Sequence, residues 1–202
     1  MASIAKATVM RRSAAEFPLP LARARSHTGD MKTLCLLRHA KSSWDDPALD
    51  DFDRPLTKRG RKAAALIGAL MAERGWLPDL ALVSPARRAR DTWERVSSAF
   101  AAPVETRFEP AIYMAAPEDI LALLRALPDA PRSVILVGHN PGLEQCAALL
   151  AGPGSDQRAL ARMTEKFPTA ALARFDVTTL AADDAALTDF VRPRDLASEP
   201  PS

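Results

Sequence analysis

Three short, almost wholly apolar runs constrain the fold of this 202-residue chain more than any other feature. They lie at residues 33–37, 80–83 and 133–137, and apart from the leading Thr33 and Ser133 every side chain in them is apolar. A short apolar run without polar alternation is typical of a strand that is covered on both faces, as in a parallel sheet. The runs therefore predict the buried centre of a largely parallel β-sheet.

Helical patterns separate the runs. Between Pro55 and Arg74, apolar residues recur at intervals of three and four, with Thr57 as an expected N-cap and Gly75 just past the end. Ser84-Pro85, with its hydroxyl cap and early proline, predicts the start of a second helix.

Two more helices and two more strands complete the predicted pattern. A helix is expected from Pro117 to about Leu127, and another after His139, with Asn140 as its cap and Pro141 as its first residue. Strands are expected at 104–108 and 170–177. Strands that alternate with helices predict an α/β fold, here a single three-layer α/β/α domain with a mostly parallel sheet.

Composition excludes several other classes of protein. The hydrophobic content of 48% and the charged content of 26% are ordinary for a globular domain. Cys35 and Cys146 lie in apolar segments, which predicts reduced core thiols and a cytoplasmic protein. Two cysteines and three histidines form no zinc pattern, so neither a metal nor a cofactor is expected. No run of eighteen apolar residues predicts a membrane-spanning helix.

Residues 1–30 differ from the rest of the chain in charge. They carry five basic and two acidic side chains, a net +3, so the whole-chain charge of +2 leaves −1 for the other 172 residues. This distribution argues against a nucleic-acid surface. We favour Met31 as the true start, because Lys32 leads directly into the first run. An organelle-targeting segment or a disordered tail are the alternatives. The domain is predicted at 31–196, with a flexible C-terminus at 197–202.

Basic side chains follow each of the three runs. Arg38 and His39 follow the first, Arg87 and Arg88 follow the second, and His139 follows the third. Because ligands of such sheets bind beyond the carboxyl ends of the strands, we expect these residues to meet. Arginine forks and helix N-termini bind phosphate oxygens, and a neutral imidazole can attack phosphorus. The sequence predicts a phosphate pocket that contains a nucleophile.

Each of these pieces also has a simpler structural interpretation. Arg38-His39 alone could be a solvated loop, Arg87 and Arg88 could be the exposed face of a helix, and Asn140 could mark only a helix start. All of them follow buried strands in one chain, however, and this joint occurrence favours a site.

Three segments carry residue patterns that occur together in one superfamily. Residues 36–44 are LLRHAKSSW, residues 84–92 are SPARRARDT and residues 138–141 are GHNP. In this order they resemble the Arg-His-Gly, Ser-Pro-x-x-Arg-Ala-x-x-Thr and third motifs of the histidine phosphatase (phosphoglycerate mutase-like) superfamily. The spacing and three further segments are most similar to the SixA-type phosphohistidine phosphatases: 53–60, 166–170 and 193–196. The resemblance covers about residues 31–196.

The resemblance implies a phosphoglycerate mutase-like fold and a role for each matching residue. His39 matches the nucleophile that is transiently phosphorylated. Arg38 and Arg88 match the two phosphate-binding arginines, and His139 matches the second histidine of the pocket. Ser42, within the first motif, is expected to contribute to phosphate binding.

Two details depart from the superfamily pattern or leave it open. Ala40 replaces a glycine, which is tolerable unless the backbone there needs a positive φ. No unmistakable general acid is present: Glu109 is the nearest candidate by position, and Asp45 and Asp46 are others. Arg87 is expected to point away from the site.

The favoured function is removal of phosphate from a phosphohistidine on a protein, for example one of the histidine-phosphotransfer type. A P–N bond breaks more easily than a P–O bond and can dispense with a strong acid. A phosphatase or mutase of small phosphate esters is the first alternative, and a non-catalytic phosphate-binding adaptor is the second. We expect a cytoplasmic monomer without a nucleic-acid or membrane partner.

Overall fold

The three apolar runs form neighbouring strands in the middle of one sheet. The computed structural model describes residues 32–127 and 131–196. Its six strands are β1 (Lys32–Arg38), β2 (Leu80–Val83), β3 (Glu105–Phe108), β4 (Ser133–Gly138), β5 (Leu172–Val177) and β6 (Ala185–Val191). Their order is β3-β2-β4-β1-β5-β6. The first four strands run parallel, and β5 and β6 add antiparallel pairs beside β1. The predicted mostly parallel sheet is confirmed.

Helices cover both faces of this sheet. They are α1 (Lys58–Glu73), α2 (Arg87–Ser97), α3 (Pro117–Arg125), α4 (Gly142–Leu150), α5 (Gln157–Glu165) and α6 (Pro193–Leu196). Successive side chains of a strand point to opposite faces, so Leu34 and Leu36 of β1 pack with α3, α4 and α5. Cys35 and Leu37 pack with α1 and α2 on the other face. This arrangement is the predicted three-layer α/β/α domain.

Helix α1 follows its sequence pattern closely. The Thr57 hydroxyl caps it by accepting a hydrogen bond from the Gly60 amide at 2.9 Å. Gly75, just past its end, has a φ of +67°, the left-handed conformation that ends many helices. The predicted start and end of this helix are confirmed.

Two predicted helix caps are wrong. Helix α2 begins at Arg87 without a side-chain cap, and Ser84 instead bonds His139. Helix α4 begins at Gly142 rather than Pro141, and Asn140 does not cap it. The Asn140 amide donates to the Phe167 carbonyl at 3.2 Å and to a carboxylate of α4. Both side chains have tertiary partners that outcompete the local cap.

The prediction for the cysteines is confirmed, whereas two elements of the fold were missed. Cys35 and Cys146 are buried free thiols, as predicted, and burial raises the pKa of each to about 12. Helix α5 and strand β6 were not predicted. None of the helices in the described ranges has the length and apolar character needed to cross a bilayer. The predictions for 1–30 and 197–202 lie outside the described residues.

Candidate active site

The carboxyl ends of β1 and β4 bring two histidines together. Arg38 pairs with Gly138 in the parallel register, and the His39 amide donates to the Gly138 carbonyl at 3.0 Å. The ring centroids of His39 and His139 are 5.0 Å apart. Two histidines a hundred residues apart in the chain thus share one site, as the strand ends predicted.

His39 is fixed in one tautomer by its own backbone. Its Nδ1 lies 2.8 Å from the Ala40 carbonyl oxygen, which can only accept, so Nδ1 carries the proton and Nε2 keeps its lone pair. Burial lowers the pKa of His39 to about 3. The imidazole is therefore neutral near pH 7, and Nε2 is available as a nucleophile.

His139 is held by partners that the sequence patterns did not reveal. Its Nε2 lies 2.7 Å from the Ser84 hydroxyl, and Tyr113 packs edge-on against its ring at 5.6 Å. Burial, then the nearby charge of Arg88, lower its pKa to about 4. Its Nδ1 is buried without a hydrogen-bond partner in the described protein. Unsatisfied polar atoms of this kind are rare outside functional sites.

A close backbone approach places Tyr113. A Cβ at Gly142, the first residue of α4, would lie only 1.9 Å from the carbonyl oxygen of Ala115. Only glycine therefore lets the loop after Tyr113 pack so tightly against the start of α4. The tyrosine ring can then reach His139, which lies three residues before that glycine.

Asp51 organises the buried guanidinium of Arg88. Arg88 is 4% exposed and donates to the Asp51 carbonyl at 2.5 Å and to its carboxylate at 2.9 Å. The same carboxylate accepts from Tyr113 at 3.0 Å and from Arg54 at 2.6 Å. Partial burial opposes ionisation, but Arg88, Tyr113 and Arg54 outweigh it and lower the pKa of Asp51. Asp51 is therefore an ionised acceptor shared by three side chains of the site, and the sequence patterns did not predict this role.

Arg38 is held from the other side of the site. Its Nη1 donates to the Phe167 carbonyl at 2.8 Å, while its buried Nε has no partner in the described protein. The Ala170 amide donates to the carbonyl oxygens of Arg38 and His39, both at 3.1 Å. The segment that precedes β5 therefore anchors both residues of the first motif.

The first two sequence motifs contact each other directly. The Ala40 amide donates to the Thr92 hydroxyl at 2.9 Å, and that hydroxyl donates to the Arg88 carbonyl at 2.6 Å. Ala40 has no positive φ, so alanine fits where the superfamily has glycine. Arg87 is exposed and pairs with Asp91 at 3.9 Å, pointing away as predicted.

The remaining candidates form no hydrogen bond or ion pair with the two histidines among the described residues. Buried Ser42 accepts a hydrogen bond from Arg54, and Arg54 in turn donates to the Asp51 carboxylate. Glu109 lies just past β3, and within the described ranges its carboxylate forms no hydrogen bond or ion pair with the two histidines. Asp45 and Asp46 are exposed. No group of three or more metal-binding side chains occurs in the described ranges.

Comparisons with known proteins agree with this geometry. Residues 34–109 match the family model of the histidine phosphatase superfamily (branch 1). A crystal structure assigned as phosphohistidine phosphatase SixA from Agrobacterium tumefaciens aligns with a TM-score of 0.70 and 35% identity, over 80% of this chain and 98% of that one.

Two relatives of unassigned activity extend the similarity. An uncharacterised protein of Mycobacterium tuberculosis is 35% identical over 163 residues, which are 78% of this chain and 100% of the relative. An uncharacterised chloroplastic protein of Arabidopsis thaliana is 36% identical over 135 residues, which are 62% of each chain. The chain belongs to the histidine phosphatase superfamily, in its SixA-type branch.

Proposed function

We propose that this protein is a phosphatase that removes phosphoryl groups from phosphohistidine on another protein. The observation that carries the proposal is the state of His39, whose Nδ1 proton is bound by the Ala40 carbonyl at 2.8 Å. This leaves the imidazole neutral, with the lone pair of Nε2 free, at the strand ends that also carry Arg38 and Arg88. The similarity to the Agrobacterium protein supports the substrate class.

The first step is an in-line displacement at phosphorus. Nε2 of His39 forms a bond to phosphorus, and the P–N bond to the substrate imidazole breaks. The leaving nitrogen keeps the electron pair and takes up one proton. Arg38, Arg88 and His139 are assigned to the phosphoryl oxygens, whose charge spreads in the transition state.

The second step returns the enzyme to its starting state. Water attacks phosphorus on the phosphorylated His39, the bond to Nε2 breaks and its electron pair returns to that nitrogen. Ionisation of the phosphate product releases the proton consumed in the first step. Nδ1 of His39 keeps its proton and donates it in a hydrogen bond to the Ala40 carbonyl throughout, so the ring keeps its orientation.

The carboxylates near the site favour a P–N substrate over a phosphate ester. An alcohol leaving group needs a general acid. Asp51 is a poor acid because its pKa is lowered, and the Glu109 carboxylate forms no hydrogen bond or ion pair with the histidines in the described residues. An imidazole leaving group makes less demand on such an acid.

A competition between substrates tests the proposal. The full chain is given a phosphorylated histidine-phosphotransfer domain and a panel of small sugar and glycerate phosphates, and kcat/KM is compared. The proposal expects the phosphorylated domain to be preferred. A preference of ~10²-fold or more for the small phosphates would favour the esterase or mutase alternative and overturn this assignment.

Location and partners remain predictions. The buried thiols led to the cytoplasmic prediction, while the similarity to a chloroplastic protein is compatible with organelle import. We propose a phosphorylated protein as the partner and a monomeric enzyme. Ser42 is proposed to act only indirectly, since its hydroxyl accepts from Arg54.

A further inference from the structure

A second concentration of positive charge lies beside the active site. It is a cavity of about 330 Å³, here called the basic pocket. Its lining includes five basic side chains: Lys41, Arg59, Lys166, Arg192 and Arg194. The proposed chemistry uses none of them.

Two of the five cations are already paired with carboxylates of the protein. Buried Arg192 donates to Glu165 at 2.8 Å and to Asp195 at 3.0 Å. Arg194 lies 3.8 Å from each of the same two carboxylates. These two arginines of the lining are thus paired with carboxylates outside it, and Asp195 also pairs with Arg162.

The other three cations are not neutralised. Lys41, Arg59 and Lys166 are exposed, and their side chains form no ion pair or hydrogen bond within residues 32–127 and 131–196. Because the chain outside residues 1–30 has a net charge of −1, this local excess of three charges is not a property of the whole surface. The basic pocket is therefore a distinct site of positive potential.

Backbone contacts hold the basic pocket next to His39. The Thr57 amide and hydroxyl both donate to the Lys41 carbonyl, at 2.9 and 3.1 Å. A Cβ at Gly60 would lie 2.1 Å from that carbonyl oxygen, so only glycine lets α1 start there. Arg59, on the first turn of α1, is thereby placed beside Lys41, two residues after the nucleophile.

The third cation is positioned by the segment that anchors Arg38. Lys166 immediately precedes Phe167, whose carbonyl accepts from Arg38. The same segment reaches the backbone of His39 through the Ala170 amide, at 3.1 Å. All three unpaired cations are thus fixed, at the level of the backbone, around the residues that hold the nucleophile.

We propose that the basic pocket docks acidic side chains that flank the phosphohistidine on the phosphorylated protein. This inference rests on the proposed function. A phosphoryl group bound by Arg38 and Arg88 does not use the charge of the basic pocket, which is therefore available to attract other anionic groups of the substrate. Long, exposed cations suit steering of a protein surface, whereas small-ligand sites are mostly apolar with a few fixed polar groups.

A charge-reversal variant tests the docking role. R59E/K166E is compared with K62E/R95E, which makes the same change in charge at exposed positions of α1 and α2 outside the basic pocket. The substrates are a phosphorylated histidine-phosphotransfer domain and free phosphohistidine, which have the same bond to be broken. The readout is the ratio of their kcat/KM values, measured at low and high salt.

The ratio for R59E/K166E is expected to fall at least ~10-fold at low salt, and less at high salt, because screening weakens docking. The control should keep the wild-type ratio. If R59E/K166E does not fold, by its thermal melt, R59Q/K166Q replaces it and should lower the ratio about threefold.

Two results separate the possible failures. If the wild type dephosphorylates the protein and the pocket variant keeps the ratio, or the control loses as much, the docking inference is wrong and the proposed function stands. If the wild type does not act on the phosphorylated protein, the proposed function fails and the inference fails with it.

Discussion

The protein holds two groups of basic side chains, the phosphate-binding candidates and those of the basic pocket, in opposite ways. Arg38 and Arg88 are bonded to protein acceptors, and Arg88 is 4% exposed. Lys41 and Lys166 of the basic pocket are exposed, and neither has an ion-pair partner among the residues that the structure describes. The first group is fixed in place before substrate arrives, and the second keeps its charge available.

The difference follows from what each group has to do. Stabilising charge in a transition state requires donors that are already in position, and a buried cation without a partner is costly. Asp51 meets both needs for Arg88. Attracting a charged partner requires only potential at the surface, which pairing would cancel. We therefore expect substitutions in the fixed group to affect every substrate and those in the basic pocket to affect protein substrates selectively.

Removing the nucleophile His39 should lower the activity more than any other substitution. His39→Ala is expected to lower kcat by ~10³-fold or more on every substrate, since it removes the imidazole assigned to form the P–N intermediate. Steady-state kinetics measure this, with His27→Ala as the control because His27 belongs to none of the three motifs. Retention of more than a few per cent of activity would remove His39 from the assignment.

The second largest effect should come from Arg88. Arg88→Ala is expected to lower kcat by ~10²–10³-fold, the usual result of losing one fixed donor to the transition state. Arg87→Ala is the matched control, because the neighbouring guanidinium is exposed and pairs with Asp91. Equal losses in the two variants would mean that the second motif contributes charge rather than a fixed donor.

Substitution of Asp51 should show how far catalysis depends on the ion pair that holds Arg88 in place. Asp51→Asn keeps the shape of the side chain but weakens its hold on Arg88 and Arg54, so kcat/KM should fall about tenfold on protein and small substrates alike. Asp50→Asn, at the adjacent exposed position, should change little. An increase in activity would instead mean that the Asp51 carboxylate competes with phosphate for Arg88.

The positions of Arg38, Arg88 and the two histidines could be predicted from the sequence because the ends of neighbouring strands bring them together. The apolar residues 34–37 and 134–137 identify β1 and β4 as buried parallel neighbours, and His39 and His139 follow them directly. That the two histidines lie close together can then be predicted without knowing how the loops fold. Arg88 follows β2, the parallel neighbour of β4, and so lies at the same edge of the sheet.

Asp51 and Ser84 escaped prediction because their roles depend on tertiary contacts. Asp51 lies on a short 3-10 turn and reaches Arg88 across 37 residues, and only its position three residues before Arg54 gave a signal. Ser84 has the local pattern of a cap but bonds His139. Strand β6 was missed because it is held at the edge of the sheet by β5, and polar residues such as Asp189 interrupt its apolar pattern.

The pH dependence of stability tests the burial of the two histidines. Burial holds the pKa of His39 at about 3 and that of His139 at about 4, both below the 6.5 of a free imidazole. In this window the folded state binds fewer protons than the unfolded state, so stability should fall as pH drops from about 6.5 towards 4. NMR titration should find both imidazoles neutral at pH 6, and a midpoint near 6.5 for His39 would contradict the lowering of its pKa by burial.

The smallest effect is expected at Glu109. If the leaving group is an imidazole, Glu109→Gln should lower kcat/KM on the phosphorylated protein by less than about threefold. On sugar or glycerate phosphates the same variant should lose much more, provided that these are turned over at all. A collapse on the phosphorylated protein as well would make Glu109 the general acid and restore the ester alternative.

Trapping the intermediate tests the central claim most directly. The full chain is mixed with a histidine-phosphotransfer domain that carries labelled phosphate, and the reaction is quenched in alkali within the first turnover. We expect acid-labile label on His39 of the wild type and none on His39→Ala. Label on another residue, or release of phosphate with no labelled enzyme at any time, would contradict nucleophilic catalysis by His39.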